Sequence, residues 1–239
     1  VLVTGASRGL GEEVAVALGR RGAKLVLVAR GESELFRVHS RIVAEGGTAL
    51  AVPADVADKE AAHRIAALAS AAFTAGGARG GVDVLIHNAG TLGPTSLELL
   101  LDTDCEDLEH ALAVNVVGPF RITKAVLGHM TLARRGLVVA VSSDAAVNAY
   151  PTWGTYGASK AALEHTMRTF AAESEGTGVR FLVADPGEMD TRMHADALPD
   201  ADRGSLTPPR LAAERLVRAM EAAQTGAEIY SRVELASFK

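Results

Sequence analysis

The chemistry available to this chain is concentrated in Tyr156-Gly157-Ala158-Ser159-Lys160, where a phenol and an ammonium group four residues apart share one face and one turn of a helix. A phenol titrates near pH 10 and is a poor acid or base at neutral pH. Lowering it by about 3 units takes roughly 4 kcal/mol of preferential phenolate stabilisation. A neighbouring lysine cation supplies this, and a second positive charge in the same cleft adds to it. Ser143 follows an apolar run and precedes Tyr156 by 13 residues, and Asn115 precedes Ser143 by 28. Ser142 is the adjacent alternative; spacing and strand alternation favour Ser143.

Holding such groups together is the task of the surrounding elements. Short β-rich apolar runs alternate with longer Ala/Leu/Arg stretches, the order that a parallel sheet with crossover helices requires. The pattern predicts strands over 24–29, 49–53, 82–87, 136–142 and 180–184, a first strand over 1–3 and a weak seventh over 227–230. Helices are expected over 11–21, 33–45, 58–75, 104–131, 153–175 and 208–223. Consecutive apolar residues in the strands imply helices on both faces. Together these give a single-domain, Rossmann-like doubly wound α/β fold of six to seven strands. Residues 76–81 and 185–209 read as loops; the second follows a strand's carboxyl end and is long enough to cover a substrate.

The first predicted strand runs into Thr4-Gly5-Ala6-Ser7-Arg8-Gly9-Leu10-Gly11 and then into a helix. Gly5 allows a tight turn, Gly9 a close ligand approach and Gly11 close packing of helix on strand, while the helix N-terminus offers N–H groups to a pyrophosphate. The second strand ends at Arg30, where an acidic side chain would favour a free ribose 2′-hydroxyl. Arg30 and Arg8 instead suit a 2′-phosphate, so NADP(H) is expected over NAD(H).

The GxxxGxG spacing and the Tyr-Lys pair make the chain resemble the short-chain dehydrogenase/reductase family, from Val3 to about Ala223. The resemblance implies that Gly5, Ser7, Arg8, Gly9, Leu10 and Gly11 cradle a nicotinamide dinucleotide. Asp55 and Val56 look like the family's adenine-contacting pair, and Asn88-Ala89-Gly90 like its Asn-Ala-Gly motif. Pro186, Gly187 and Thr191 resemble the segment that orients the nicotinamide. Asn115, Ser143, Tyr156 and Lys160 match the family's tetrad. By that match Tyr156 exchanges a proton with the substrate, and Ser143 hydrogen-bonds the substrate oxygen. Lys160 lowers the phenol's pKa and binds the nicotinamide ribose, and Asn115 holds a proton-supplying water.

These features predict an NADP-dependent oxidoreductase interconverting a ketone or aldehyde with its alcohol. A non-catalytic NADP(H) sensor on the same fold, or a nucleotide-sugar epimerase or dehydratase, is the alternative. Candidate pocket residues are Leu92, Ala145, Val147, Trp153, Met189 and Met193, with Asn148 and Glu188 as polar anchors. The family likeness further implies a homodimer or homotetramer formed through the helices over 104–131 and 153–175.

Composition narrows the other possibilities. The 239 residues carry a formal net charge of −5, which opposes non-specific nucleic-acid binding. One cysteine, Cys105, excludes an intrachain disulfide, and the seven histidines show no metal-ligand spacing. No apolar run reaches the roughly 20 residues of a membrane span. A cytoplasmic protein is expected, with its true start upstream of Val1. The C-terminal 227–239 is a weak match to the family's usual ending.

Overall fold

In the computed structural model, which describes residues 1–73, 80–94 and 97–238, seven strands form one parallel sheet in the order β3-β2-β1-β4-β5-β6-β7. The elements alternate: β1 (Leu2–Thr4), α1 (Gly9–Arg20), β2 (Lys24–Ala29), α2 (Glu32–Ala44), β3 (Thr48–Pro53), α3 (Ala61–Ala71), β4 (Val84–His87), α4 (Cys105–Leu112) and α5 (Gly118–Ala133). They continue with β5 (Gly136–Val141), α6 (Gly154–Glu173), β6 (Val179–Asp185), α7 (Arg192–Ala197), α8 (Pro209–Thr225) and β7 (Tyr230–Glu234).

Alternation along the strands sorts their side chains into two cores. Leu137, Val139 and Val141 of β5 face α1, α2 and α8, whereas Val138 and Ala140 face α3, α5 and α6. Phe181 and Leu25 are almost wholly buried, each contributing roughly 2–3 kcal/mol of apolar burial. The order reverses between β1 and β4, because the chain winds outward from β1 through β2 and β3 and then restarts at β4 on the other side. The resulting crevice at the strands' carboxyl ends is where open α/β sheets bind ligands.

Most boundaries shift by one to three residues, and four features depart further from the sequence expectation. The seventh strand is Tyr230–Glu234, fully paired to β6, and begins where the expected 227–230 stops. Helix α3 is described only as Ala61–Ala71, and the outer part of the expected loop, 76–79, lies outside the described residues. The helix expected over 104–131 contains a widened π turn, Ala113–Val117. The segment 185–209 is not structureless: it holds α7, a 3₁₀ turn over Arg203–Ser205 and a bridge between Met189 and Thr207.

The continuous helical stretch Cys105–Ala133 has the length and mean hydropathy, 1.2, of a membrane-spanning segment, although no single apolar run within it does. Its Val114, Ile122, Val126 and Met130 are buried in the sheet's core, which accounts for much of that apolar character.

Candidate active site

The glycine loop is built by exclusion. A Cβ on Gly11 would clash with the Gly5 carbonyl oxygen and one on Gly5 would sit 2.8 Å from Ala89, so only glycine lets the loops after β1 and β4 meet. Gly5 and Gly9 also take left-handed φ values of 67° and 58°. Thr4 clips the crevice together: its hydroxyl accepts from Asn88 N at 3.1 Å and Ala89 N at 3.2 Å. Asn88 Nδ2 in turn donates to the Thr4 and Gly5 carbonyls at 3.2 and 3.0 Å.

Arg8 stands at the N-cap of α1 and makes no side-chain hydrogen bond to the first turn. The N–H groups of Gly9 and Leu10 thus remain available, and a Cβ on Gly9 would meet Thr191 at 3.5 Å across the space they face. A glycine-rich turn running into a helix N-terminus whose first turn has no side-chain cap suits a pyrophosphate. Behind it, Arg37 donates to the Ser7 carbonyl at 3.2 Å and to Glu12 at 2.6 Å, and Arg41 binds Glu12 and Glu13. Burial would raise the Glu12 carboxyl, but hydrogen bonds and charge from Arg37 and Arg41 outweigh it and hold the group below its ordinary value. Thr4, Glu12 and Arg37 were not anticipated from the sequence.

Arg30 lies at the end of β2 with its guanidinium mostly exposed, 3.8 Å from Asp55 Oδ2. Asp55 also caps its own turn by accepting from Ala57 N at 2.9 Å, and Val56 is buried beneath Gly118. Arg30, expected at the 2′-phosphate, and Asp55, expected at the adenine, therefore face each other as an ion pair.

At the opposite rim, α6 carries Tyr156 and Lys160 on one face, both buried, with the ammonium 5.5 Å from the phenol ring centroid. Burial pushes the Tyr156 phenol above its ordinary value, a hydrogen bond with Ser143 pulls it down, and the charges of Asp185 and Asp144 push it up. Lys160 lies directly beside this phenol. Its Nζ donates to the Val141 carbonyl at 2.8 Å, and burial lowers it to about 8 against the pull of Glu164 and Asp185.

Ser143, rather than Ser142, is the serine brought to the phenol; Ser142 donates instead to Glu164 at 2.6 Å. The Ser143 hydroxyl donates to Asp144 Oδ1 at 2.9 Å and accepts from Ala145 N at 3.2 Å. Asn115 sits in the π turn, where both Nδ2 hydrogens are committed, to the Thr91 carbonyl and to Ser159 Oγ, each at 2.8 Å. Its Oδ1 accepts from Thr91 N at 2.9 Å. A Cβ on Gly90 would lie 3.3 Å from that oxygen and 3.6 Å from Lys160 Nζ, so Asn115 and the ammonium flank the same small space.

Of the expected pocket residues, Leu92, Ala145 and Trp153 form one apolar cluster with Tyr156, the indole packing edge-on to the phenol at 5.9 Å. Met189 packs instead into the sheet core beneath α8, while Val147 and Met193 are exposed. Glu188 lies 3.8 Å from His194, and Asn148 binds the Asp144 carbonyl. Gly187, with φ 69°, turns the chain after Pro186, and Thr191 caps α7 by accepting from His194 N. Among the described residues no group of His, Cys, Asp or Glu is arranged to hold a metal.

A parallel sheet with a glycine crevice at its switch point and a buried Tyr-Lys pair beside it defines a nucleotide-binding α/β enzyme fold. The profile of the family described as short chain dehydrogenase matches residues 1–202, and the chain belongs to that family of oxidoreductases. A short chain dehydrogenase of Pseudocercospora fijiensis is 36% identical over 199 residues, covering 81% of this chain and 60% of that protein. An NADPH-dependent aldehyde reductase-like protein, chloroplastic, of Arabidopsis thaliana is 31% identical, covering 82% and 74%. The crystal structure of a metagenomic short-chain oxidoreductase in complex with NADP superposes with a TM-score of 0.81 at 29% identity, covering 98% of this chain and 96% of that one.

Proposed function

We propose that this chain is an NADP(H)-dependent carbonyl reductase or alcohol dehydrogenase in which Tyr156 is the general acid and base. The observation that carries the reading is the meeting of Tyr156, Lys160 and Ser143 beside the glycine crevice, on elements that have no other reason to bury a lysine. Gly5, Ser7, Arg8, Gly9, Leu10, Gly11, Asn88, Ala89, Gly90, Pro186, Gly187 and Thr191 line the dinucleotide path, and Arg30 with Arg8 takes the 2′-phosphate. The NADP complex of one structural neighbour and the NADPH-dependent name of one relative support that preference. When bound, the nicotinamide supplies or accepts the hydride.

The protein residues handle the proton. In reduction, Tyr156 gives its phenolic proton to the carbonyl oxygen as the carbon is reduced, leaving a phenolate that Lys160 balances. In oxidation the phenolate recovers that proton from the alcohol. Ser143 turns from Asp144 to hydrogen-bond the substrate oxygen, and Asn115 holds the wall beside Lys160 through which the proton is replaced. Leu92, Ala145 and Trp153 give the substrate an apolar seat that excludes water from the reacting oxygen.

The test is NADPH oxidation across a panel of ketones and aldehydes, with NADH in parallel. Activity is expected with NADPH, and Tyr156→Phe should lose about 10²–10⁴-fold in kcat with cofactor binding intact. Cofactor binding without turnover in either protein overturns the reading in favour of a sensor. We also infer a homo-oligomer through α5 and α6, where the half-exposed Phe120 packs against Phe170 beside exposed Val117. Gel filtration giving a concentration-independent monomer refutes it.

A further inference from the structure

The face of α6 that carries Tyr156 and Lys160 continues one turn further to Glu164, a carboxylate only 4% exposed. Its partner comes from the far edge of the sheet. Arg232, in β7, directs Nε at both Glu164 oxygens, 3.1 and 3.2 Å away. The same guanidinium lies 3.8 Å from Asp185 at the end of β6 and 3.6 Å from Glu234.

Three consecutive residues at the carboxyl end of β5 are gripped by this assembly. Lys160 holds the Val141 carbonyl at 2.8 Å, Glu164 holds the Ser142 hydroxyl at 2.6 Å, and Arg232 reaches the Ser143 carbonyl at 3.5 Å. Ser143 is the residue whose side chain meets the phenol, so the backbone that aims it is fixed from below by the groups that surround the lysine. A buried ion pair contributes little net stability relative to apolar residues of the same volume. Tying β7 to α6 does not require charge. Balancing a buried ammonium does.

We propose that Glu164 and Arg232 are a positioning couple for the Tyr156, Lys160 and Ser143 chemistry, setting the electrostatic surroundings of Lys160 and fixing the strand end that aims Ser143. The inference rests on the reductase reading and adds residues outside its tetrad. Among the described residues, the charged and titratable groups around Lys160 are Tyr156 and Glu164 on its own helix, Asp185 from β6, Asp144 from the turn after β5, and Arg232 from β7 acting through Glu164. The four inner groups, Lys160, Arg232, Glu164 and Asp185, balance to zero, with exposed Asp144 and Glu234 adding negative charge outside them. Removing one charge unbalances the set in a predictable direction.

Glu164→Gln leaves the set positive, so Lys160 should lose its proton about one pH unit lower, and the alkaline limb of the kcat profile should move with it. Arg232→Gln leaves it negative and should shift both about one unit the other way. The double variant restores neutrality and should return them close to the parent. The lysine is followed directly by the ¹³Cε resonance of Lys160 in lysine-labelled protein, assigned by its loss in Lys160→Met. A purely structural pair would lower stability without opposed shifts.

If Arg232→Gln does not fold, Glu164→Gln and the double variant still carry the comparison. Folded variants whose Lys160 midpoint stays at the parent value overturn the inference, even where carbonyl reduction is intact. Opposed midpoints in a protein that reduces no carbonyl support the coupling and overturn the reductase reading alone.

Discussion

At the scale of single residues, the proposed acid-base group, Tyr156, is a phenol whose ionisation its surroundings oppose, and the surroundings can be edited one charge at a time. Burial raises Tyr156 first, and Asp185 and Asp144 raise it further. Asp144 also draws away the Ser143 proton and binds the Tyr150 hydroxyl at 2.8 Å. Asp144→Asn removes one negative charge without removing the hydrogen-bonding side chain, so the phenol should ionise at lower pH. The acidic limb of alcohol oxidation should therefore move to lower pH, by up to about one unit, read from kcat/KM against pH. A limb that stays in place would mean that another group governs it. Tyr156, Lys160, Ser143 and Asn115 were legible because their side-chain types and order carry the chemistry whatever the packing. Glu164 was not. A glutamate one turn beyond a lysine on a helix ordinarily marks a solvated face, and only a strand far along the chain, bearing Arg232, turns it inward.

At the scale of elements, the alternation of apolar runs and helical stretches was enough to order the sheet, because strands covered on both faces must be continuously apolar. The seventh strand was expected, but over 227–230 rather than 230–234. Tyr230-Ser231-Arg232-Val233-Glu234 is an edge strand carrying polar residues, so its apolar pattern is diluted where Arg232 pairs with Glu164. The π turn was hidden, since Ala113–Val117 has a sequence any α-helix would accept. Its consequence is local and testable. The widened turn sets Asn115 against both α6 and the loop after β4, where its amide satisfies Thr91 N, the Thr91 carbonyl and Ser159 Oγ. Asn115→Ala should cost about 1–3 kcal/mol in urea unfolding, because it strands those part-buried polar groups. Asn115→Asp keeps the acceptor for Thr91 N but sets a carboxylate oxygen against the Thr91 carbonyl in a buried site, and should cost at least as much as alanine. Equal stability of Asn115→Ala and the parent would show that the loop finds other partners.

At the scale of the whole molecule, the fold carries two buried basic groups whose protonation opposes folding, and they act at opposite ends of the pH range. His87, at the end of β4, is lowered to about 3 by burial, with Nε2 2.8 Å from Thr123 Oγ1 and Nδ1 without a partner among the described residues. Below pH 6.5 the unfolded chain takes up a proton that the native state refuses until about pH 3, so this histidine's contribution to stability falls as pH falls through that window. His87→Gln retains a hydrogen-bonding partner for Thr123 and cannot titrate; its unfolding free energy should fall less steeply on acidification, by up to about 1.4 kcal/mol per pH unit. Lys160 produces the same dependence at alkaline pH. Lowered to about 8 from an ordinary 10.5, it is charged in both states at neutral pH and carries its full burial cost there. Between pH 8 and 10.5 the unfolded chain holds the proton that the native state has released, so stability gained from this site rises with pH. Lys160→Met should consequently be more stable than the parent near pH 7, by about 3 kcal/mol at most, with the gap closing toward pH 10.5 while activity is absent throughout. Urea unfolding of both proteins at several pH values measures the gap. A methionine variant less stable than the parent across the whole range would mean that the ammonium's hydrogen bond to Val141 and its attraction to Glu164 outweigh the cost of burying it, and that the native state is not under strain from its own catalytic charge.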